Sequence, residues 1–216
     1  FPLGVIKQLY SNELKEIRTL NIYLPEGYHA DSSYPVIYLL DGSADEDFIH
    51  VAGLVQFATF SWVNILPKSI VVGIANVDRR RDFTFPSRIV EDIKKFPITG
   101  GSEKFIRFIE KATGSKMLIG QSLGGLLATE ILFKKPQLFT SYVIVSPSLW
   151  WDNESLLKLK PALLNENYAL QTRIYIGVGE EGKVMEEDAK YLFELINNEG
   201  RKNLTVKFDF ITGKSH

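Results

Sequence analysis

The chain has 216 residues and a mass of 24.5 kDa; 45% of the residues are hydrophobic and 12% aromatic, enough to bury a substantial core and to exclude disordered, collagen-like and low-complexity classes. Twenty-five basic residues against 26 acidic ones leave a formal net charge of -1, which argues against a dedicated nucleic-acid surface. Without a cysteine there is no disulfide scaffold, thiol nucleophile or cysteine-ligated metal, and no apolar run approaches the roughly 20 residues that span a bilayer.

Read from the N-terminus, extended and helical stretches alternate. Leu14 to Leu24 and Pro35 to Leu40 flank a turn-like segment, Pro25 to Ser33, and are expected to pair as an opening hairpin. Val36-Ile37-Tyr38-Leu39-Leu40 is almost wholly apolar, as a strand covered on both faces would be. Ser69 to Ile74, Met117 to Ile119, Ser141 to Val145 and Arg173 to Val178 repeat that signal, and Leu204 to Phe210 alternates like an edge strand. Helical spacing fills the intervals. One helix follows a Ser102 cap, one runs from Leu126 to Phe133 and stops before Pro136, and one spans Met185 to Leu195. This alternation predicts an α/β fold, a mostly parallel central sheet with helices on both faces and an N-terminal antiparallel hairpin. No linker or repeat divides residues 1–216, which reads as one domain. The interval near 111–116 looks too short, as if a segment were missing there. Both ends look trimmed: the chain opens Phe1-Pro2-Leu3 without Met and stops on His216.

The chemistry concentrates at Gly120-Gln121-Ser122-Leu123-Gly124-Gly125, which fits G-x-S-x-G. This pattern marks a tight strand-to-helix elbow. The serine takes a strained backbone conformation, and small neighbours leave room around it. An apolar strand precedes the motif and a helical pattern follows, so Ser122 is the expected nucleophile. The elbow order requires an acid and then a histidine downstream, and of the three histidines only His216 follows Ser122. The acid is expected after the strand ending at Val178, at Glu180 or Glu181, with Asp152 a third candidate. An oxyanion needs two N–H donors. Leu123 is the expected first, and Gly42 or Ser43, in the loop after Val36 to Leu40, the second.

Other residues are candidates for substrate binding. Trp150, Trp151, Phe48 and His50 are expected near the sheet edge as pocket walls or ordinary core. Arg79-Arg80-Arg81 either grips an anionic substrate or is balanced by Asp78 and Asp82; Arg79 is the candidate contact. No histidine pair has metal-ligand spacing, and neither a catalytic metal nor a cofactor is expected.

These residues together resemble the serine esterase family that includes esterase D and the enterochelin esterases, within the α/β-hydrolase superfamily. The likeness runs through Leu20 to Pro25, Tyr34 to Gly42, the elbow Gly120 to Gly125 and Ser146 to Trp151. Asn76 to Thr84 is similar to the bacterial, enterochelin-esterase-like branch. The resemblance implies Ser122 as nucleophile and His216 as base. It favours Glu181 as the acid, because Gly182 and Met185 follow it in the family's manner. It also implies a final helix beyond His216, and a bacterial periplasmic or secreted location ahead of a cytoplasmic one. The expected function is hydrolysis of a small-molecule carboxylic ester through an acyl-serine intermediate. An acyltransferase using the same acyl-enzyme and a non-catalytic binding module on the same fold are the alternatives.

Overall fold

Side chains that alternate between the two faces of each strand decide which helices the sheet can carry. The computed structural model describes residues 3–110, 116–198 and 200–216. Within them lie β1 (Val5–Ser11), β2 (Glu16–Tyr23), β3 (Val36–Leu39), β4 (Ile70–Ile74), β5 (Lys116–Gln121), β6 (Ser141–Val145), β7 (Thr172–Gly179) and β8 (Leu204–Ile211). They form one sheet in the order β1-β2-β4-β3-β5-β6-β7-β8. The six strands from β4 to β8 in that order are mutually parallel; β2 runs antiparallel to β4, and β1 antiparallel to β2. This is the expected α/β-hydrolase architecture, with β8 as the expected edge strand.

The N-terminal hairpin is present, but its partners differ from the sequence expectation. β2 pairs with β1, not with β3. The chain reverses in the short turn Asn12 to Lys15, closed by the Lys15 N–H on the Ser11 carbonyl at 2.8 Å, with Lys15 at φ 58°. The longer Pro25–Ser33 segment instead carries the chain past β4 to a central position, where β3 pairs in parallel with β4 and β5. The short interval expected near 111–116 falls largely on residues 111–115, outside the described residues.

Ile37 and Leu39 of β3 and Val71 of β4 face α1 (Phe48–Ala58), joined by Phe48, Ala52 and Val55. The opposite face carries most of the core. There Leu118, Ile144, Ile174 and Ile176 are packed under α5 (Leu123–Lys134), α4 (Ser102–Ile109) and α7 (Lys183–Asn197). The helix expected after a Ser102 cap begins at Ser102 itself, whose hydroxyl is buried and caps nothing. Short helices α2 (Arg79–Phe83), α3 (Val90–Lys95) and α6 (Trp151–Glu154) sit in the long connections at the carboxyl edge.

From β3 the chain moves outward to β4, then crosses back to β5 on the other side of β3. The sheet therefore changes winding direction between β3 and β5. In open α/β sheets the crevice beyond the strand ends at such a switch point is where ligands bind. Asp41 and Ser122 emerge there.

Candidate active site

The elbow forms because β5 ends one residue before a helix must begin. Ser122 sits between them at φ 57° and ψ -117°, a conformation that side chains rarely adopt. The turn is pinned on both sides. The Ser122 N–H donates to the Val145 carbonyl at 3.0 Å, and its carbonyl accepts from Leu126 at 2.9 Å and Ser148 at 3.0 Å. Gly120 is required for the close approach of strand and helix, since a Cβ there would lie 2.3 Å from the Gly124 carbonyl oxygen. Two other strands of the same edge end directly on non-glycine residues at positive φ, Asp41 (54°) after β3 and Ser146 (46°) after β6. Each such residue costs on the order of 1–3 kcal/mol, and such strain gathers where a scaffold must present groups in fixed directions.

His216 and Glu181 meet at this edge. The last turn of the chain folds back on β7, where the Glu180 N–H donates to the Lys214 carbonyl at 2.5 Å. That contact brings His216 Nδ1 to 2.6 Å from Glu181 Oε2. Glu181 Oε1 accepts from the Gly179 N–H at 3.0 Å and from the Ser146 hydroxyl. Burial opposes ionisation of this carboxyl, but the bonds from Ser146, His216 and Gly179 outweigh it and hold its pKa below the ordinary value of 4.5. The other two acid candidates point elsewhere. Glu180 is exposed. Asp152 is buried and accepts from the Arg88 N–H at 2.6 Å and the Ser87 hydroxyl at 3.0 Å, which occupies it structurally.

The loop after β3 approaches Ser122 through Asp41 and Arg79. Arg79 donates from Nε to Asp41 Oδ1 at 2.5 Å, from Nη2 to Asp41 Oδ2 at 3.0 Å, and from Nη2 to the Gln121 carbonyl at 3.2 Å. Arg79 is thus a strut between the β3 loop and the elbow, its charge met by Asp41. The residue expected to contact an anionic substrate also lines both cavities at Ser122, with its guanidinium already paired. The N–H of Gly42, one of the expected oxyanion donors, donates to the Ile74 carbonyl at 3.1 Å. A close approach explains the glycine, since a Cβ on Gly42 would lie 2.3 Å from Gly73 Cα. The Ser43 N–H has only a long contact, 3.3 Å, with the exposed Glu46 Oε2. Leu123, first residue of α5, begins a helix whose leading N–H groups have no carbonyl partner within it.

Two cavities open on Ser122. A wide cleft of about 410 Å³ is lined by His216, Asp41, Asp47, Arg79 and Gln121 as well as Ser122. A narrower one of about 210 Å³ is walled by Leu123, Ser148, Trp150, Trp151, Phe96 and both Arg79 and Arg80. Ser122 Oγ lies 3.3 Å from Ser148 Oγ. Trp150 and Trp151 thus line the narrow cavity, as expected of pocket walls, although Trp151 is also core, with its Nε1 donating to the Phe85 carbonyl at 2.9 Å. His50 is not brought to the site. It is exposed on the first turn of α1 and lines neither cavity, because Phe48 turns inward to the core and takes the buried side of that turn. Asp41 as an anchor, Ser146 beside Glu181 and Phe96 in the narrow cavity were not read from the sequence. Only Asp41 had a signal, as the polar residue ending an apolar strand.

Among the described residues no group of three or more His, Asp or Glu side chains is placed to hold a metal ion, and no helix is long and apolar enough to cross a membrane.

A family model described as "Putative esterase" matches residues 11–216. The chain is 28% identical over 233 residues to the ferri-bacillibactin esterase BesA of Bacillus subtilis, covering 93% of this chain and 80% of that one. A crystal structure of the BES protein from Bacillus cereus superposes with a TM-score of 0.87 at 30% identity, covering 100% of this chain and 91% of that one. An IroE-like serine hydrolase from Shewanella oneidensis also gives a TM-score of 0.87 at 30% identity, over 99% of this chain and 75% of that one. With residues 11–216 matched, the chain belongs to this esterase family and is a carboxylic-ester hydrolase.

Proposed function

We propose that the protein hydrolyses the ester bonds of a siderophore through an acyl-Ser122 intermediate, with a Ser122-His216-Glu181 triad. The observation that carries this reading is the hydrogen bond that His216 Nδ1–H donates to Glu181 Oε2 at the rim of the cleft that Ser122 lines. With Nδ1 held by Glu181, His216 presents Nε2 to the cleft, where it takes the Ser122 proton as Oγ bonds to the substrate carbonyl carbon. The oxyanion that forms accepts from the N–H groups of Leu123 and Ser43. As the tetrahedral carbon collapses, the ester C–O bond breaks and His216 gives its proton to the departing alcohol. Water then repeats the sequence on the acyl-serine, releasing the acid and restoring Ser122. The siderophore assignment is supported by the relatives, among them BesA and a siderophore enterobactin esterase of Emericella nidulans that is 38% identical over 72 residues.

The test is turnover. Wild-type protein is expected to hydrolyse ferri-bacillibactin and short p-nitrophenyl esters, and Ser122→Ala to lose both. Undiminished hydrolysis in Ser122→Ala contradicts the nucleophile; turnover of p-nitrophenyl esters without turnover of the siderophore contradicts only the substrate.

A further inference from the structure

The two cavities at Ser122 differ in one respect that assigns them to opposite halves of the ester. His216 lines the wide cleft and is not among the residues walling the narrow cavity. The group that protonates the leaving alcohol must lie against that alcohol. The alcohol therefore occupies the wide cleft, and the acyl group extends into the narrow cavity beside Leu123, Ser148 and Trp150. This sidedness rests on the roles given above to Ser122 and His216.

Two arginines line the narrow cavity, Arg79, which it shares with the wide cleft, and Arg80, which it does not. Three consecutive arginines on α2 have three different fates. Arg79 is bound by Asp41, and Arg81 by Glu16 and Asp82. Arg80 is exposed and forms no ion pair among the described residues. Its guanidinium lies over the Phe96 ring at 4.9 Å from the centroid, and Phe96 in turn contacts Trp150 and Trp151 at 6.5 and 6.0 Å. The cation–π contact with Phe96 engages none of the guanidinium N–H donors, which favour a planar anionic acceptor. Trp150 and Phe96 give the same cavity flat apolar walls.

We propose that the narrow cavity is the acyl-group pocket, and that Arg80 makes it select an acyl group bearing a planar ring with an anionic oxygen on its far side.

Two measurements test this. In calorimetric titrations, wild-type protein is expected to bind terephthalate more tightly than benzoate, which lacks the distal carboxylate. Arg80→Gln should weaken terephthalate binding roughly tenfold, the scale of one charge-assisted contact, and Arg80→Lys should recover part of the loss. In kinetics, the 4-nitrophenyl monoester of terephthalic acid is compared with 4-nitrophenyl benzoate, so that the leaving alcohol cancels. The ratio of their kcat/KM values should fall about tenfold in Arg80→Gln. Equal wild-type binding of the two acids, or a preference that Arg80→Gln leaves intact, overturns the assignment. The titration needs no turnover. Loss of terephthalate preference in Arg80→Gln therefore supports the pocket even if wild-type protein hydrolyses neither ester, an outcome that counts only against the hydrolytic mechanism.

Discussion

Glu181 Oε2 lies 2.6 Å from His216 Nδ1, and while the imidazole is about half exposed the carboxylate side chain beneath it is 3% exposed. The imidazole is thus held from the protein side and open to the cleft. Ser146 and the Gly179 N–H hold the other carboxylate oxygen, so Glu181 cannot rotate away without breaking two further bonds.

Replacing that carboxylate should separate its catalytic from its structural contribution. Glu181→Gln keeps the shape and removes the charge that favours the protonated imidazole. It is expected to lower kcat by on the order of 10²–10⁴-fold, the scale seen when an orienting acid becomes an amide, as steady-state kinetics on a p-nitrophenyl ester would show.

The same carboxyl makes a prediction about acid stability. Its pKa is lower in the folded chain than its ordinary 4.5, so the folded state favours the ionised form. That contribution is complete above about pH 4.5 and is lost as pH falls through the lower folded value. The difference in Tm between wild type and Glu181→Gln should be steady near neutrality and shrink below about pH 4.5.

Arg79 is expected to matter to both stability and rate. Removing it leaves the buried Asp41 carboxylate with Asn76 Nδ2, at 2.8 Å, as its remaining side-chain donor. Arg79→Met should cost roughly 1–3 kcal/mol in denaturant unfolding, the range for a buried acceptor losing its charged donor, and should lower kcat/KM by loosening the elbow. Arg79→Lys should restore part of each, because lysine supplies the charge without the two-pronged geometry.

Asp188 on α7 offers an opposite pH signature. Burial, with the carboxylates of Glu154 and Glu187 nearby, raises its pKa to about 6, and its Oδ2 has no hydrogen-bond partner among the described residues. Between its unfolded value of 3.8 and about 6 the folded chain holds a proton that the unfolded chain has released. Stability therefore falls as pH rises across that window. Asp188→Asn should remove this fall and raise stability at pH 7 by on the order of 1–2 kcal/mol after solvent screening, measured by thermal melts at pH 4 and pH 7.

The elbow was legible because it is local. G-x-S-x-G forces its turn through contacts within a few residues, and the apolar runs of β3 to β7 announce strands buried on both faces. Chain order singled out His216 for the same reason, since it is the last of only three histidines. What stayed hidden depends on distance. The Gly42 N–H meets the Ile74 carbonyl only because β4 lies beside β3 in the sheet. Arg79 and Arg80 are indistinguishable as neighbours in sequence. One helical step sends the first to Asp41 and the second over Phe96, a residue 16 positions further on. The hairpin pairs β1 with β2 because strand order is set by the sheet: the turn-rich Pro25–Ser33 segment spans a crossover, while the chain reverses at Asn12–Lys15.

Labelling of Ser122 tests the central claim most directly. Protein treated with a fluorophosphonate and analysed by intact mass and peptide mapping should carry a single adduct, on Ser122. Glu181→Gln should slow the labelling and Ser122→Ala abolish it. An unlabelled protein that still hydrolyses esters, or an adduct on any other residue, contradicts Ser122 as the nucleophile.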